Sequence, residues 1–212
     1  MNRTPNHPLR RGWTTGACAT AAARAAYTAL LTGEFPDPVT VDLPRGHSPS
    51  FALAREEFGQ GAATAGIIKD AGDDPDVTHG ALVLATVRRG QNGAGVTFRA
   101  GEGVGTVTRA GLPLGVGEPA INLVPRRIME AAVAEIAGRL GDDGDVEIEI
   151  AIPGGEKMAE RTMNGRLGIT GGLSVLGTTG VVMPYSCSAW IASIHQGIDV
   201  ARAAGLGHVA AA

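Results

Sequence analysis

Between positions 17 and 31 the chain is almost continuously apolar yet nearly without bulk, with six alanines from Ala19 to Ala26 and Arg24 as its only charge. Thr14-Thr15-Gly16 before this run and Gly33 after it are helix punctuation, so the pattern predicts a helix. Such small side chains suit close packing against a sheet, with approach of a flat ligand as the alternative. Short β-branched runs at 39–43, 51–58, 81–88 and 96–99, bounded by Gly, Pro, Asn or Asp, predict strands. A second helix opens near Pro125, where Ile128, Met129, Ala132, Val133, Ile136 and Leu140 recur at three- and four-residue spacing, and Asp142-Asp143-Gly144 ends it. Positions 146–152 alternate Val and Ile with Glu147 and Glu149, a strand with one wet face.

Pro153-Gly154-Gly155 and a short helix at 156–162 lead into the glycine-rich tract 167–180. A last amphipathic segment, 188–204, predicts Trp190, Ile191, Ile194, Ile198 and Val200 facing inward, with Gly205 as its cap and His195 as a core histidine rather than a ligand. Hairpin-punctuated strands in the first half and strand–helix alternation in the second predict a mixed α/β fold. Residues 1–152 form an α+β region with a mixed sheet, and residues 153–212 begin a Rossmann-like α/β unit.

Composition narrows the function classes. Of 212 residues 44% are hydrophobic and 18% charged, the net charge is −3, and there are no Lys/Arg runs, which excludes a disordered chain and a general nucleic-acid binder. No stretch approaches the roughly 18 consecutive apolar residues of a membrane span, so no membrane partner is expected. Only Lys69 and Lys157 are lysines among 18 cations, and an excess of Arg forks suits two-pronged binding of carboxylate or phosphate, although base composition of a genome explains it equally well. Arg10-Arg11 before the alanine run mimics an export signal, but Arg24 interrupts the run and no strongly apolar segment follows. Two distant cysteines, Cys18 and Cys187, make a disulfide framework or a protein-bound metal cluster unexpected and point to a reducing cytoplasm.

Two segments could carry chemistry. The loop 69–80 holds Lys69, Asp70, Asp73, Asp74, Asp76 and His79 beside turn-forming Gly72 and Pro75. It is an acidic surface turn, a poor match to an EF-hand, or an active-site loop in which a carboxylate or imidazole moves a proton. The tract 171–180 offers Gly171, Gly172, Gly177, Thr178, Thr179 and Gly180, whose backbone N–H groups and hydroxyls suit a ribose, a carboxylate or a tetrapyrrole edge. It lacks the Gly-Lys-Ser/Thr ending of a phosphate loop, and Gly101-x-Gly103 runs into a strand rather than a dinucleotide-binding helix.

Taken in order, Arg11-Gly12-Trp13-Thr14-Thr15-Gly16-Ala17-Cys18, the loop 69–80, Gly117-Glu118-Pro119-Ala120-Ile121-Asn122 and the tract 167–180 resemble the cobalt-precorrin-5B (C1)-methyltransferase family, CbiD. The resemblance implies transfer of a methyl group from S-adenosyl-L-methionine to ring carbon C1 of cobalt-precorrin-5B, or of metal-free precorrin-5B, giving the precorrin-6A product in cobalamin biosynthesis. A non-catalytic corrinoid-binding or hand-over protein is the alternative. The implied substrate is a flat macrocycle fringed with carboxylates, for which Arg10, Arg11, Arg45, Arg88, Arg89, Arg126, Arg127 and Arg166 are candidate clamps, and the small residues of the first helix would let such a plane approach. The chemistry then assigns Asp73, Asp74 or His79 as the base, Thr14, Thr15, Lys69, Asp70 and Asp76 to substrate binding, and the 171–180 tract to adenosylmethionine. The resemblance further implies that family members continue past Ala212, which would leave a sheet edge and the apolar face of the last helix partly uncovered unless a second chain, as in a homo-oligomer, covers them.

Overall fold

The computed structural model describes residues 8–210. In chain order its elements are β1 (Gly12–Trp13), α1 (Thr15–Thr32), β2 (Val39–Thr40), β3 (Ser50–Phe51), β4 (Arg55–Gly59), β5 (Ala62–Ile68), β6 (Leu82–Arg89), β7 (Val96–Ala100) and β8 (Thr106–Val107). They continue with α2 (Leu123–Leu140), β9 (Val146–Ala151), α3 (Gly155–Ala159), β10 (Ile169–Thr170), β11 (Val181–Val182) and α4 (Cys187–Ala203). The result is mixed α/β with a mixed sheet, as the residue patterns predict.

The main sheet has the order β4-β5-β6-β9-β7. All neighbours are antiparallel except β7 and β9, which run parallel and are joined through α2 in a strand–helix–strand crossover. Alternation sends Ala63, Ala65, Ile67, Val83, Ala85 and Val87 to one face, together with Val146, Ile148 and Ile150 of β9, and all of these are buried. α1 packs on β5, β6 and α2 above that face. Its alanines are consumed there: Ala19, Ala21, Ala22, Ala25 and Ala26 are fully buried in the core, so the first helix presents no small-residue surface to a macrocycle. The other face of the sheet is wet. Thr64 and Thr86 share a hydrogen bond of 2.8 Å, and Arg88 and Arg99 bracket Glu147 and Glu149.

β5 is not visible in the hydrophobic pattern because Ala62, Ala63, Ala65 and Gly66 carry little strand propensity and dilute Thr64, Ile67 and Ile68. A tight turn creates it. Gln60 (φ 39°) and Gly61 (φ 76°) are both left-handed, the geometry of a two-residue hairpin, and they fold β5 back on β4. The expected strand 51–58 divides in two because its ends have different partners, β3 pairing with β2 and β4 with β5.

Residues beyond the main sheet interlock with earlier ones. β10 pairs with β8 and β11 with β1, both antiparallel. A small second core gathers Val107, Leu114, Ala120, Leu167 and Ile169 around Val200 of α4. That is where α4 is anchored, and the expectation for its face is corrected: only Val200 turns inward, while Trp190, Ile191, Ile194 and Ile198 are exposed, Trp190 at 74%. His195 is exposed as well, not a core histidine. Amphipathic spacing reports which side of a helix is apolar but not whether a layer exists to receive it, and among the described residues none does.

Candidate functional site

Chain entry into α1 organises the site. Thr14 caps the helix by accepting from Ala17 N–H at 3.1 Å. The strand before it is pressed against the 69–80 loop, with Trp13 N–H donating to Asp70 O at 2.8 Å and Asp73 N–H to Arg10 O at 3.0 Å. Only glycine fits this crossing: a Cβ on Gly12 would stand 2.0 Å from the Ala71 carbonyl carbon, and one on Gly72 2.3 Å from Arg10 O. The glycine-rich tract straps over the same helix end, through Gly16 N–H to Leu176 O at 2.8 Å and Thr14 N–H to Gly180 O at 2.9 Å. At Gly177 a Cβ would lie 2.2 Å from Thr14 Oγ1.

These contacts enclose a cavity of about 300 Å³. Thr14 and Thr15 contribute hydroxyls, Asp76 a carboxylate, and Asn122, Asn164 and Ser174 further polar groups. Leu112, Leu167, Ile169, Leu173 and Val182 supply apolar wall, and Ser193 and Gln196 of α4 close one side. Asn122 stands at the N-cap of α2 but makes no side-chain cap bond. Asn164 is buried, donates Nδ2–H to Gly172 O at 3.0 Å and accepts from Ser174 Oγ at 3.2 Å, tying the tract to the 162–165 turn.

The electrostatics centre on one buried ion pair. Lys69 is 1% exposed, and its Nζ lies 2.7 Å from Asp76 Oδ2. Asp76 Oδ1 accepts from both the N–H and the Oγ1–H of Thr78, at 2.8 and 2.6 Å. Burial would raise the Asp76 carboxyl, but the charge and hydrogen bond of Lys69 and the two Thr78 donors outweigh it and hold it below its ordinary value. Asp70, bonded first by Arg10 and then by Gly72 N–H, is held at about 2. Burial pushes the Cys18 thiol up to about 12 despite the nearby Lys69 charge, so it is a protonated core filler rather than a nucleophile.

The fold therefore divides the residues singled out from sequence. Thr14, Thr15, Asp76 and Gly177 line the cavity, whereas Lys69, Asp70, Asp73, Asp74, His79, Gly171, Gly172, Thr178, Thr179 and Gly180 do not. Asp73 accepts from Arg10 N–H at 2.6 Å, Asp74 from Tyr185 N–H at 2.9 Å, and His79 Nδ1 from Ala71 N–H at 3.1 Å, so each fixes backbone. Several expected arginine clamps are paired inside the protein: Arg10 with Asp70, Arg88 with Glu147, Arg89 with Asp142 and Arg126 with Glu118. None of the eight lines the cavity. Sequence reasoning missed Asn164, because an Asn before Gly165 reads as turn punctuation and its burial is invisible locally.

A cavity of about 300 Å³ set among the convergent loops of a mixed α/β body, at the lower end of the size range of small-molecule sites, is what the fold presents. The chain matches the CbiD family model over residues 2–184 and belongs to that family. It is 70% identical over 202 residues to the cobalt-precorrin-5B C(1)-methyltransferase of Paramagnetospirillum magneticum, covering 95% of this chain and 57% of that protein. The corresponding protein of Agrobacterium fabrum is 65% identical over 206 residues, with 97% and 54% covered. Among solved structures, the crystal structure of a cobalamin biosynthesis protein (CbiD) from Archaeoglobus fulgidus matches with a TM-score of 0.64 and 30% identity, over 89% of this chain and 59% of that one. The chain thus spans little more than half the length of the curated relatives it matches.

Proposed function

We propose that this chain carries the activity for which its relatives are named, methylation of C1 of cobalt-precorrin-5B, with S-adenosylmethionine as donor. The observation that supports it best is convergence. Four sequence segments that are far apart in the chain send Thr14 and Thr15, Asp76 and Thr78, Asn122, and Ser174 and Gly177 into one cavity. Its size falls at the lower end of small-molecule sites, and its mixture of hydroxyls, one carboxylate, amides and aliphatic wall suits a donor that combines a flat base, a ribose and a short polar tail.

The macrocycle is too large for this cavity and in this reading lies across its mouth. Arg161 precedes the lining residues Thr162, Met163 and Asn164, Arg166 precedes the lining residue Leu167, and the Arg109 side chain lies against Gly168. These three arginines have no carboxylate partner among the described residues, and in this reading Arg166, one of the expected clamps, is joined by Arg109 and Arg161 in holding the substrate's carboxylates. The bound donor supplies an electrophilic methyl group. The protein's own part is to align C1 with it, exclude water and accept the proton that the macrocycle releases. In this reading the acceptor is one of the three candidate bases, Asp73, Asp74 or His79; His79 can serve only once Nδ1 leaves Ala71 N–H, because a neutral ring whose Nδ1 accepts carries its own proton on Nε2. No described helix is long and apolar enough to cross a membrane, and we take the reaction to run in the cytoplasm.

Calorimetry with S-adenosylhomocysteine and a methyl-transfer assay with cobalt-precorrin-5B test the reading together. We expect the wild type to bind and turn over, and Gly177→Val, whose side chain strikes Thr14, to lose donor binding. A protein that binds the macrocycle but neither form of the donor is a corrinoid carrier.

A further inference from the structure

We propose that Asp76 is the cavity's fixed acceptor for one neutral hydroxyl of the bound ligand, in the proposed reading a ribose hydroxyl of the methyl donor, and that Lys69 is the positioning residue that makes it so. The inference rests on the assignment of the cavity to that donor and goes beyond it by naming the contact.

The argument is a count of acceptor positions. An ionised carboxylate offers about four lone-pair directions. Within the protein Asp76 fills three of them, two on Oδ1 with the N–H and Oγ1–H of Thr78 and one on Oδ2 with Lys69 Nζ. One direction on Oδ2 is left, on a side chain that lines the cavity and is 24% exposed. Lys69 does not itself line the cavity. Its ammonium stands behind the carboxylate, almost wholly buried, where it can touch no ligand but fixes the direction of Oδ2. The pair is neutral as a unit, so it does not select a cation. What it presents is a directed, charge-assisted acceptor, the complement of a neutral O–H donor.

The charged and titratable groups around the pair are few. Cys18 of α1 faces it as a neutral thiol, and Asp70, Asp73, Asp74 and His79 share its loop, with Arg10 bonded to Asp70 and the backbone of Arg10 and Tyr185 to Asp73 and Asp74. Asp76 itself is held below its ordinary value, so in the wild type it is an ionised acceptor throughout the range from pH 8 to 5.

The test uses the full chain, with S-adenosylhomocysteine and 5′-methylthioadenosine as probes. The second keeps the ribose but lacks the amino-acid tail. We expect Asp76→Asn to weaken both probes by about tenfold to a hundredfold, the range for a hydrogen bond to a charged group. Lys69→Met strands the carboxylate beside apolar surroundings, so its affinity for both probes should fall as pH drops from 8 to 5 while the wild type stays flat. The double variant Lys69→Met/Asp76→Asn removes the stranded charge, should fold, and should bind as weakly as Asp76→Asn with no pH dependence. Loss of S-adenosylhomocysteine binding alone would overturn the hydroxyl assignment in favour of the ammonium. Undiminished binding by Asp76→Asn, or a flat pH profile for Lys69→Met, overturns the inference while leaving the cavity assignment intact. A wild type that binds neither probe overturns both.

Discussion

α1 and α4 obey the same local rules and end in opposite environments. Each is capped by a hydroxyl, Thr14 accepting from Ala17 N–H and Ser186 from Ala189 N–H, and they are similar in length. α1 has small side chains, and most of them are buried between the sheet and α2. α4 carries Trp190, Ile191, Ile194 and Ile198 along one side, and these stay in water, with Val200 alone buried. Helix capping and amphipathic spacing therefore predict where helices form, whereas burial depends on whether another layer lies within reach. The difference also marks how the two regions serve the cavity. α1 offers a rigid end on a packed body, and α4 closes the cavity's side from a helix anchored at its far end.

Four measurements can break or sharpen this contrast. The largest effect is expected in the sheet under the helices, where Ile148→Ala should cost about 2–5 kcal/mol, by loss of buried surface and the cavity it leaves. Next comes the ion pair beneath α1. Lys69→Met should cost up to about 3 kcal/mol in urea unfolding because the half-buried Asp76 loses its counter-charge and keeps only its Thr78 donors, and the Lys69→Met/Asp76→Asn double variant should recover most of that loss. A double variant no more stable than the single one would mean that packing of the lysine stem, not charge, is what matters there.

Acid unfolding comes third. The folded-state carboxyls of Asp70, Asp76, Glu135 and Asp142 all lie below their ordinary values. Their stabilisation is therefore complete only above about pH 5 to 6, where the unfolded carboxyls are ionised, and fades as pH falls through the unfolded values toward 2. Unfolding followed from pH 7 to pH 2 should show that decline, and Asp76→Asn should make it shallower; an unchanged slope would remove Asp76 from the account. The smallest effect belongs to α4. Trp190→Ser should shift stability by no more than about 0.5 kcal/mol, as for an exposed position, while lowering binding of an apolar dye. If instead Trp190→Ser costs as much as Ile148→Ala, the face is covered in solution and the contrast with α1 disappears, an outcome that solution mass would trace to a second copy.

How much of this could be read in the residues varies with how local each feature is. The caps of α1, the apolar stripe of α2 and the wet face of β9 all follow from neighbours within a turn or a pleat. β5 escapes, because a strand that is mostly Ala and Gly until Ile67 and Ile68 is specified by its Gln60-Gly61 turn and its partners rather than by its own pattern. Several of the segments that build the cavity are conspicuous in sequence, at Thr14-Thr15, Asp76 and Gly177, yet the roles within them are not. Asp73, Asp74 and His79 looked like free ionisable groups and are found bonded to backbone, while Asn164 looked like a turn and is a buried tether.

Sequence by itself determined the mixed α/β class, most of the elements and the family, since these rest on spacing, punctuation and ordered motifs that neighbouring residues carry. Only the tertiary structure decided that Thr14, Asp76, Asn122 and Gly177 share one cavity, that Lys69 is buried behind Asp76, and that α4 turns its apolar side to water. The physical reason is that convergence and burial belong to distances between segments far apart in the chain. A carboxylate's role depends on which of its lone pairs the fold has already filled, and that count cannot be taken along a single strand of sequence.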